Sequence, residues 1–385
     1  MKEMLKLLSL LFLCFSMLFS QILSAAVFSL PAGIHQEDSQ KVRTPRIGII
    51  LPLSGNNDSK IKTENILEFY KGMVLANEIC LAKDSGLEFH LFDHRNKAAA
   101  LKQLSVRGCF DNLDLLIGPV KQNLIPPMDS IASQHSIPMM NVLSQIPNSG
   151  KLRSSFSQQP GPDEIARTCF TLASEKASGC MAGIIYGTEK RDSMLAIAYR
   201  DLCLKNNKEV VLFRKVGKNS AANLSKYLAE SGLDSVSHLF VPNNEAMVKV
   251  QLLAAYGILK ARFPVFISGS WLEGANAEPD DFAGLPFFFT GTDLPIADPQ
   301  KFALWQSGFI SRWGNPPGWI GWKGFDLVMM LSANWYRSGK NRFRLDNRKQ
   351  PSRFFGYYEF INGKPENQFV PVYRVEKTGI VPENN

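Results

Sequence analysis

Three short polar segments of this chain carry the side chains best suited to grip a small anion: Lys121-Gln122-Asn123, Ser144-Gln145 and Arg191. Ammonium, guanidinium, amide and hydroxyl donors make charge-assisted hydrogen bonds to a carboxylate or phosphate, roughly twice as strong as neutral ones. Taken singly, Lys121 and Arg191 read equally well as solvated loop charges. Ser54, in the loop after an apolar strand, and Tyr186, at the end of another, join the candidate binding set. Trp271 is the best aromatic candidate, since a ring at a cleft can stack on a ligand while rings at helical spacing are usually core. All six tryptophans lie after residue 270, and Trp305, Trp313 and Trp335 read as packing. Asn243-Asn244-Glu245 follows a strand and can either cap the next helix or touch a ligand.

Other chemistry finds little support. His90 and His94 flank Asp93 at a strand end rather than on one helical face, so metal-ligand spacing is not indicated. No Gly-x-Ser-x-Gly elbow, phosphate loop or His-Glu-x-x-His occurs, and no Cys-x-x-Cys. The expectation is a binding protein with no cofactor, no metal and no catalytic residues.

The elements that must position these loops alternate between strand and helix. The strand Arg46–Leu51 ends in Pro52-Leu53-Ser54-Gly55, and Ala182-Gly183-Ile184-Ile185-Tyr186-Gly187 echoes it later in the chain. Helical periodicity over 61–80, 98–106 and 125–133 separates strands at 87–92, 113–117 and 137–142, which predicts parallel pairing with right-handed crossovers. The same grammar repeats, with strands at 181–186, 209–213, 237–241 and 264–268 and helices at 163–175, 193–205, 221–231 and 245–259. The run 286–289 is expected to return to the first lobe with helices 300–312 and 325–335. The tail, 355–360 and 369–375, reads as a hairpin around Asn362-Gly363. Two Rossmann-like α/β lobes follow, the first from 45–146 and 268–338, the second from 147–267 and 339–385, joined by a three-crossing hinge that permits closure on a ligand.

Residues 1–26 carry Lys2 and Lys6, an apolar run from Leu7 to Leu23 and the small triplet Ser24-Ala25-Ala26, the pattern of a cleaved export signal; a retained anchor is the competing reading. Residues 27–44 read as a flexible leader. Of 385 residues, 45% are hydrophobic and 20% charged, enough for two ordinary cores. The net charge of +8 on an exported chain points to anionic envelope polymers, headgroups or a small acidic ligand rather than nucleic acid, or serves solubility alone. In an oxidising compartment cysteines pair. Cys80, ending the first helix, and Cys109, just before a strand, approach the same edge of lobe one and are the best disulfide candidates; three pairings among Cys169, Cys180 and Cys203 stay open.

Ile47-Gly48-Ile49-Ile50-Leu51-Pro52-Leu53-Ser54-Gly55, Phe69-Tyr70-Lys71-Gly72-Met73, Asp114-Leu115-Leu116-Ile117-Gly118-Pro119, Ile137-Pro138-Met139-Met140 and Gly324-Phe325-Asp326 occur in an order and spacing that resembles the type I periplasmic substrate-binding proteins, in their leucine/isoleucine/valine-binding branch. The resemblance implies a ligand held between two lobes by loops at the carboxyl ends of the strands, an early first-lobe disulfide for which Cys80 and Cys109 are counterparts, and a membrane permease as partner. It also implies a serine after the Gly-Pro loop, where this chain has Lys121-Gln122-Asn123, and an aromatic in the loop after the first strand of lobe two, where it has Glu189-Lys190-Arg191; only Ser144 sits where a hydroxyl is expected. The expected function is a solute receptor for ABC-type transport of a small polar, amino-acid-like or anionic ligand. The alternative is a binding module of the same fold that regulates peptidoglycan synthesis through contact with an envelope protein.

Overall fold

The computed structural model of the chain describes residues 42–54, 63–143, 154–177, 179–230, 236–258, 260–272, 279–291 and 299–384, except 339–340, 344, 346–347, 353, 355, 362–363 and 365. The expected signal, most of the leader, Ser144 and Gln145 lie outside them. Residues 42–44 are held rather than free: the Arg43 guanidinium pairs with Asp114 and its carbonyl accepts from Trp335 Nε1 at 2.9 Å.

β1 (Arg46–Leu51) is apolar because both of its faces are covered, as in the centre of a parallel sheet. Ile47, Ile49 and Leu51 point into a core shared with α1 (Thr63–Leu81). Ile50 points into the opposite core, shared with α2 (Ala98–Val106) and α3 (Ile125–Gln134). β1 pairs in parallel with β2 (Glu88–Asp93) and β3 (Leu115–Ile117), then β4 (Met139–Asn141) and β5 (Ser155–Pro160) extend the sheet. Sequence periodicity misses β5 because it is polar. Its buried Ser155 is satisfied by a neighbouring helix, donating to Asp129 Oδ1 on α3 at 2.5 Å, so the strand needs no apolar alternation.

The second sheet holds β6 (Met181–Tyr186), β7 (Glu209–Lys215), β8 (His238–Val241), β9 (Val265–Ser268) and β10 (Phe287–Thr290), with β7 at one edge. α4 (Pro162–Lys176) and α5 (Lys190–Lys205) cover one face; α6 (Leu224–Glu230) and α7 (Ala246–Ile258) cover the other. α4 begins with proline and two acids and ends in Lys176, matching the helix dipole at both ends.

β10 corrects the expected return to lobe one. It pairs in parallel with β9, Phe287 to Val265 through Thr290 to Ser268, and Phe287 and Phe289 are buried in the second core. An apolar run that short carries no mark of which sheet it joins. Only after β10 does the chain reach α8 (Pro299–Trp313) and α9 (Trp319–Ser338), whose Trp305, Phe309 and Phe325 lie in the first core.

The tail differs as well. β11 (Arg348–Pro351) pairs with β12 (Tyr357–Phe360), which packs Tyr358 and Phe360 into the first core. β13 (Glu366–Asn367) adds to β5, while β14 (Val372–Glu376) pairs with β10 and with β15 (Gly379–Pro382). The expected hairpin partners therefore lie in different sheets, and residues 362–363 lie outside the described ones. The described chain crosses between sheets three times, after β5, after β10 and between β13 and β14, each later than the expected boundaries.

The lobe-one disulfide is also overturned. Cys80 faces α9, its thiol 3.7 Å from Met329 Sδ. Cys109 precedes Phe110, which is buried in the core on the other side of the sheet. Neither thiol forms a disulfide.

α1 and α9 cross at glycines. A Cβ on Gly72 would lie 2.0 Å from the Gly321 carbonyl oxygen, and one on Gly324 would lie 2.1 Å from that of Phe69. Among the described residues no helix is long and apolar enough to cross a membrane.

Candidate functional site

Parallel sheets bring the loops after their strands to one edge, and ligands of such folds bind there. On the first sheet this edge is organised by Asp93, the last residue of β2. Its carboxylate accepts from the Ser54 hydroxyl and from the backbone amides of Leu53, Ser54 and Arg95. Burial works to raise this carboxyl, but the four hydrogen bonds outweigh it and hold its pKa below the ordinary value. Ser54 thus braces the β1 loop with its hydroxyl. His94 beside it is fully buried, and burial, opposed by Asp93 and reinforced by Lys121, pulls its pKa down to about 4.

Lys121 stands at the start of the one-turn helix Gln122–Leu124, half-buried, with Gln122 and Asn123 exposed. The loop below them is fixed by buried Asn141, whose amide donates to the Pro119 carbonyl at 2.8 Å.

The edge of the second sheet carries an open depression. Arg191 and Asp192 from the first turn of α5, Asn243 and Asn244 after β8, Ser268 ending β9 and Thr290 ending β10 supply its polar lining. Asn243 is a buried brace: Nδ2 donates to the Val216 carbonyl at 2.8 Å, and Oδ1 accepts from the Glu245 amide at 3.0 Å. Ser268 and Ser270 hydroxyls lie 2.9 Å apart, and Ser270 donates to Asn244 Oδ1 at 2.9 Å, giving a hydroxyl–amide chain along the rim. Burial raises the Asp192 carboxyl to about 6, against the hydrogen bond it accepts from the Glu189 amide.

Of the expected residues, Arg191 lines this depression, while Lys121, Gln122, Asn123 and Ser54 sit on the first-sheet edge. Tyr186 packs against Phe213, ring centroids 4.9 Å apart, within the second-lobe core. Trp271 is not a cleft wall. The turn Gly269–Leu272 folds its ring into the core, 3% exposed, where Nε1 donates to the Asn243 carbonyl at 2.5 Å and the Trp271 carbonyl accepts from buried Lys249. Gly269 makes this turn possible, since a Cβ there would strike the Tyr373 hydroxyl. Asp192, Ser268 and Thr290 were missed by motif reading, although their places, ending a strand or opening the helix after one, are the positions where parallel sheets bind ligands.

Chemically, the depression offers one guanidinium, one carboxyl, amides and hydroxyls, a set that orients a small polar molecule. Among the described residues no group of three or more His, Cys, Asp or Glu could hold a metal ion.

No protein-family model matches the sequence, and no curated protein matches it. Solved structures do. A protein from Rhodospirillum rubrum described as a branched-chain amino acid ABC transporter superposes with a TM-score of 0.70 at 14% identity, over 88% of this chain and 100% of its own. An ABC transporter substrate-binding protein from Desulfitobacterium hafniense, in complex with Leu, gives 0.60 at 16% identity, over 88% and 100%. Full-length LpoA from Haemophilus influenzae gives 0.63 at 13% identity over 90% of this chain, which spans 60% of LpoA. At such identities the likeness establishes the fold: two α/β lobes of the type I periplasmic binding-protein kind.

Proposed function

With that fold as premise, we propose that the chain is an exported receptor whose lobes close on a small polar solute, amino-acid-like or anionic, and deliver it to an ABC-type membrane permease. The observation that carries this reading is the polar depression at the carboxyl edge of the second sheet, with Arg191 at its rim and Asn243 braced beneath. Lys121, Gln122 and Asn123, with Ser144 and Gln145, are the proposed first-lobe contacts. The solute receptors among its structural relatives support binding rather than catalysis.

The test is a thermal-shift screen of amino acids, carboxylates and phosphate esters. A solute at a hundred times its Kd stabilises the folded chain by about 2.7 kcal/mol, and closure then lowers the radius of gyration in solution scattering. Arg191→Ala should abolish the shift. If no solute in the screen raises the melting temperature, the receptor reading fails.

A second reading has its own support in the likeness to LpoA and in the Lys121-Gln122-Asn123 segment where amino-acid receptors carry serine. Here the same fold regulates peptidoglycan synthesis by docking on an envelope protein. It requires retention of a specific envelope synthase on the immobilised chain, independent of any solute.

A further inference from the structure

Away from the carboxyl edges of the two sheets, one cluster of side chains has the arrangement of an activated nucleophile. The Ser105 hydroxyl, near the end of α2, lies 3.1 Å from His135 Nε2, and His135 Nδ1 lies 3.4 Å from Asp111 Oδ1. A hydroxyl within hydrogen-bond reach of a base, with the base faced in turn by a third group that orients it, is the signature of nucleophilic catalysis by serine. Such a triad is recognised by geometry and not by sequence order, so motif reading passes over it. The cluster stands at the amino edge of the first sheet, where the chain leaves α2 for β3 and α3 for β4, at the other end of the strands from Ser54 and Lys121.

A different segment fixes each member. His135 is the C-cap of α3, its backbone N–H bonded to the Ile131 carbonyl, which places the imidazole at the negative end of that helix. Buried Phe110 meets the ring edge-on, centroids 6.1 Å apart. Asp111 is aimed by the turn before it: Gly108 is left-handed, with φ 70°, and a Cβ there would lie 2.7 Å from Asp111 Oδ2. The carboxylate therefore occupies room that glycine leaves. With Asp111 facing Nδ1, that nitrogen carries the ring proton and Nε2 offers its lone pair to the Ser105 hydroxyl. A proton taken from Ser105 then makes an imidazolium that both Asp111 and the helix end favour. The imidazole is 22% exposed and Ser105 is half-buried, so a small molecule can reach both. Exposed Lys102, one turn before Ser105 on α2, supplies a cation for a developing oxyanion.

We propose that Ser105, His135 and Asp111 form a second site of this chain, an acyl-transfer site that hydrolyses small acyl esters. Ser105 Oγ attacks the ester carbonyl carbon while its proton passes to His135 Nε2. The bond from that carbon to the alcohol oxygen breaks, the alcohol leaves with the proton from Nε2, and the acyl group remains on Ser105. Water then attacks the acyl-serine, giving a proton to Nε2; the bond to Ser105 Oγ breaks, Oγ takes that proton back, and the acid departs. Asp111 keeps its charge throughout and acts by holding the imidazole, so Ser105 and His135 are the catalytic residues and Asp111 a positioning residue.

The test is incubation of the exported chain with p-nitrophenyl acetate, reading p-nitrophenolate release and mapping the acetyl group by peptide mass spectrometry. The expected result is a burst stoichiometric with the chain, followed by slower turnover, with the acetyl group on Ser105. Ser105→Ala should remove the burst, and His135→Gln should slow acetylation by about 100-fold. Asp111→Asn should slow it by less, and Asp111→Glu should retain it, a difference that a purely structural role of the carboxylate would not produce. Ser105 and Asp111 reach the surface, so their variants should melt with the parent and keep the test valid even if the His135 variant fails to fold. Acetylation confined to lysines overturns the proposal, as does a burst that survives Ser105→Ala or an Asp111→Asn chain that reacts at the parent rate.

Discussion

Replacing Tyr358 by phenylalanine removes one oxygen from the most consequential polar contact in the first lobe. The ring is fully buried, and its hydroxyl donates to Asp326 Oδ2 at 2.6 Å while accepting from Gln158 Nε2 at 2.6 Å. Burial, followed by the nearby Asp326 charge, pushes the phenol well above its ordinary pKa, so the hydroxyl remains a donor at every working pH. Three elements meet here: β12, α9 and β5, the last leading directly into the first crossing. The phenylalanine keeps the packing, so the loss is electrostatic. A hydrogen bond to a carboxylate is worth about 1.5–3 kcal/mol, and an amide donor orphaned in the interior costs about 1 kcal/mol more. The expected destabilisation is about 3 kcal/mol, and at about 2–4 °C per kcal/mol the first-lobe transition should fall by about 6–12 °C. Calorimetry resolves this transition from that of the second lobe, since two lobes need not unfold as one. Ser352, which donates to the same Asp326 oxygen at 2.7 Å, provides a partner for a double-mutant cycle with a coupling energy of the order of 1 kcal/mol. A Tyr358→Phe protein that melts within 1 °C of the parent would refute the claim that this triad holds the hinge strand to the lobe.

His238 is fully buried and its pKa is lowered to about 4, chiefly by burial and then by Lys208. The unfolded chain therefore takes up this proton first, stability is lost as pH falls from about 6.5 to about 4, and His238→Phe should move the acid-unfolding midpoint to lower pH in a circular-dichroism titration. Asp192 has the opposite sense: with its pKa raised to about 6, stability is present at low pH and lost as pH rises from about 4 to about 6. Asp192→Asn should flatten that limb and melt higher than the parent at pH 7.5, and equal melting there would contradict the assignment. Gly324→Ala drives a methyl into the Phe69 carbonyl at the α1–α9 crossing, and urea titration should read a loss of about 3 kcal/mol or more.

Much of this architecture is legible in residue order because the physics behind it is local. Ile47, Ile49 and Ile50 need cover on two faces, so Arg46–Leu51 announces a central parallel strand; Ile66, Phe69, Met73 and Ala76 recur at helical spacing and announce α1. From such elements alternate sheets and a hinge follow, and Arg191 at the opening of a helix after a strand was already a candidate for the binding edge. What tertiary structure decided was every matter of which surface meets which. Phe287–Thr290 is apolar enough for either sheet and joined the second because β9 offered the free edge. Ser155–Pro160 shows no strand signal because its buried polar side chains are met by groups far along the chain, Ser155 by Asp129 on α3 and Gln158 by Tyr358 on β12. Cys80 and Cys109 look like partners along the chain, yet Cys80 packs against Met329 of α9 and neither forms a disulfide. Trp271 looks exposed in its Gly/Ser loop, yet one turn of backbone sends it into the core. Periodicity reports how much of a segment is buried; only the packed chain reports against what.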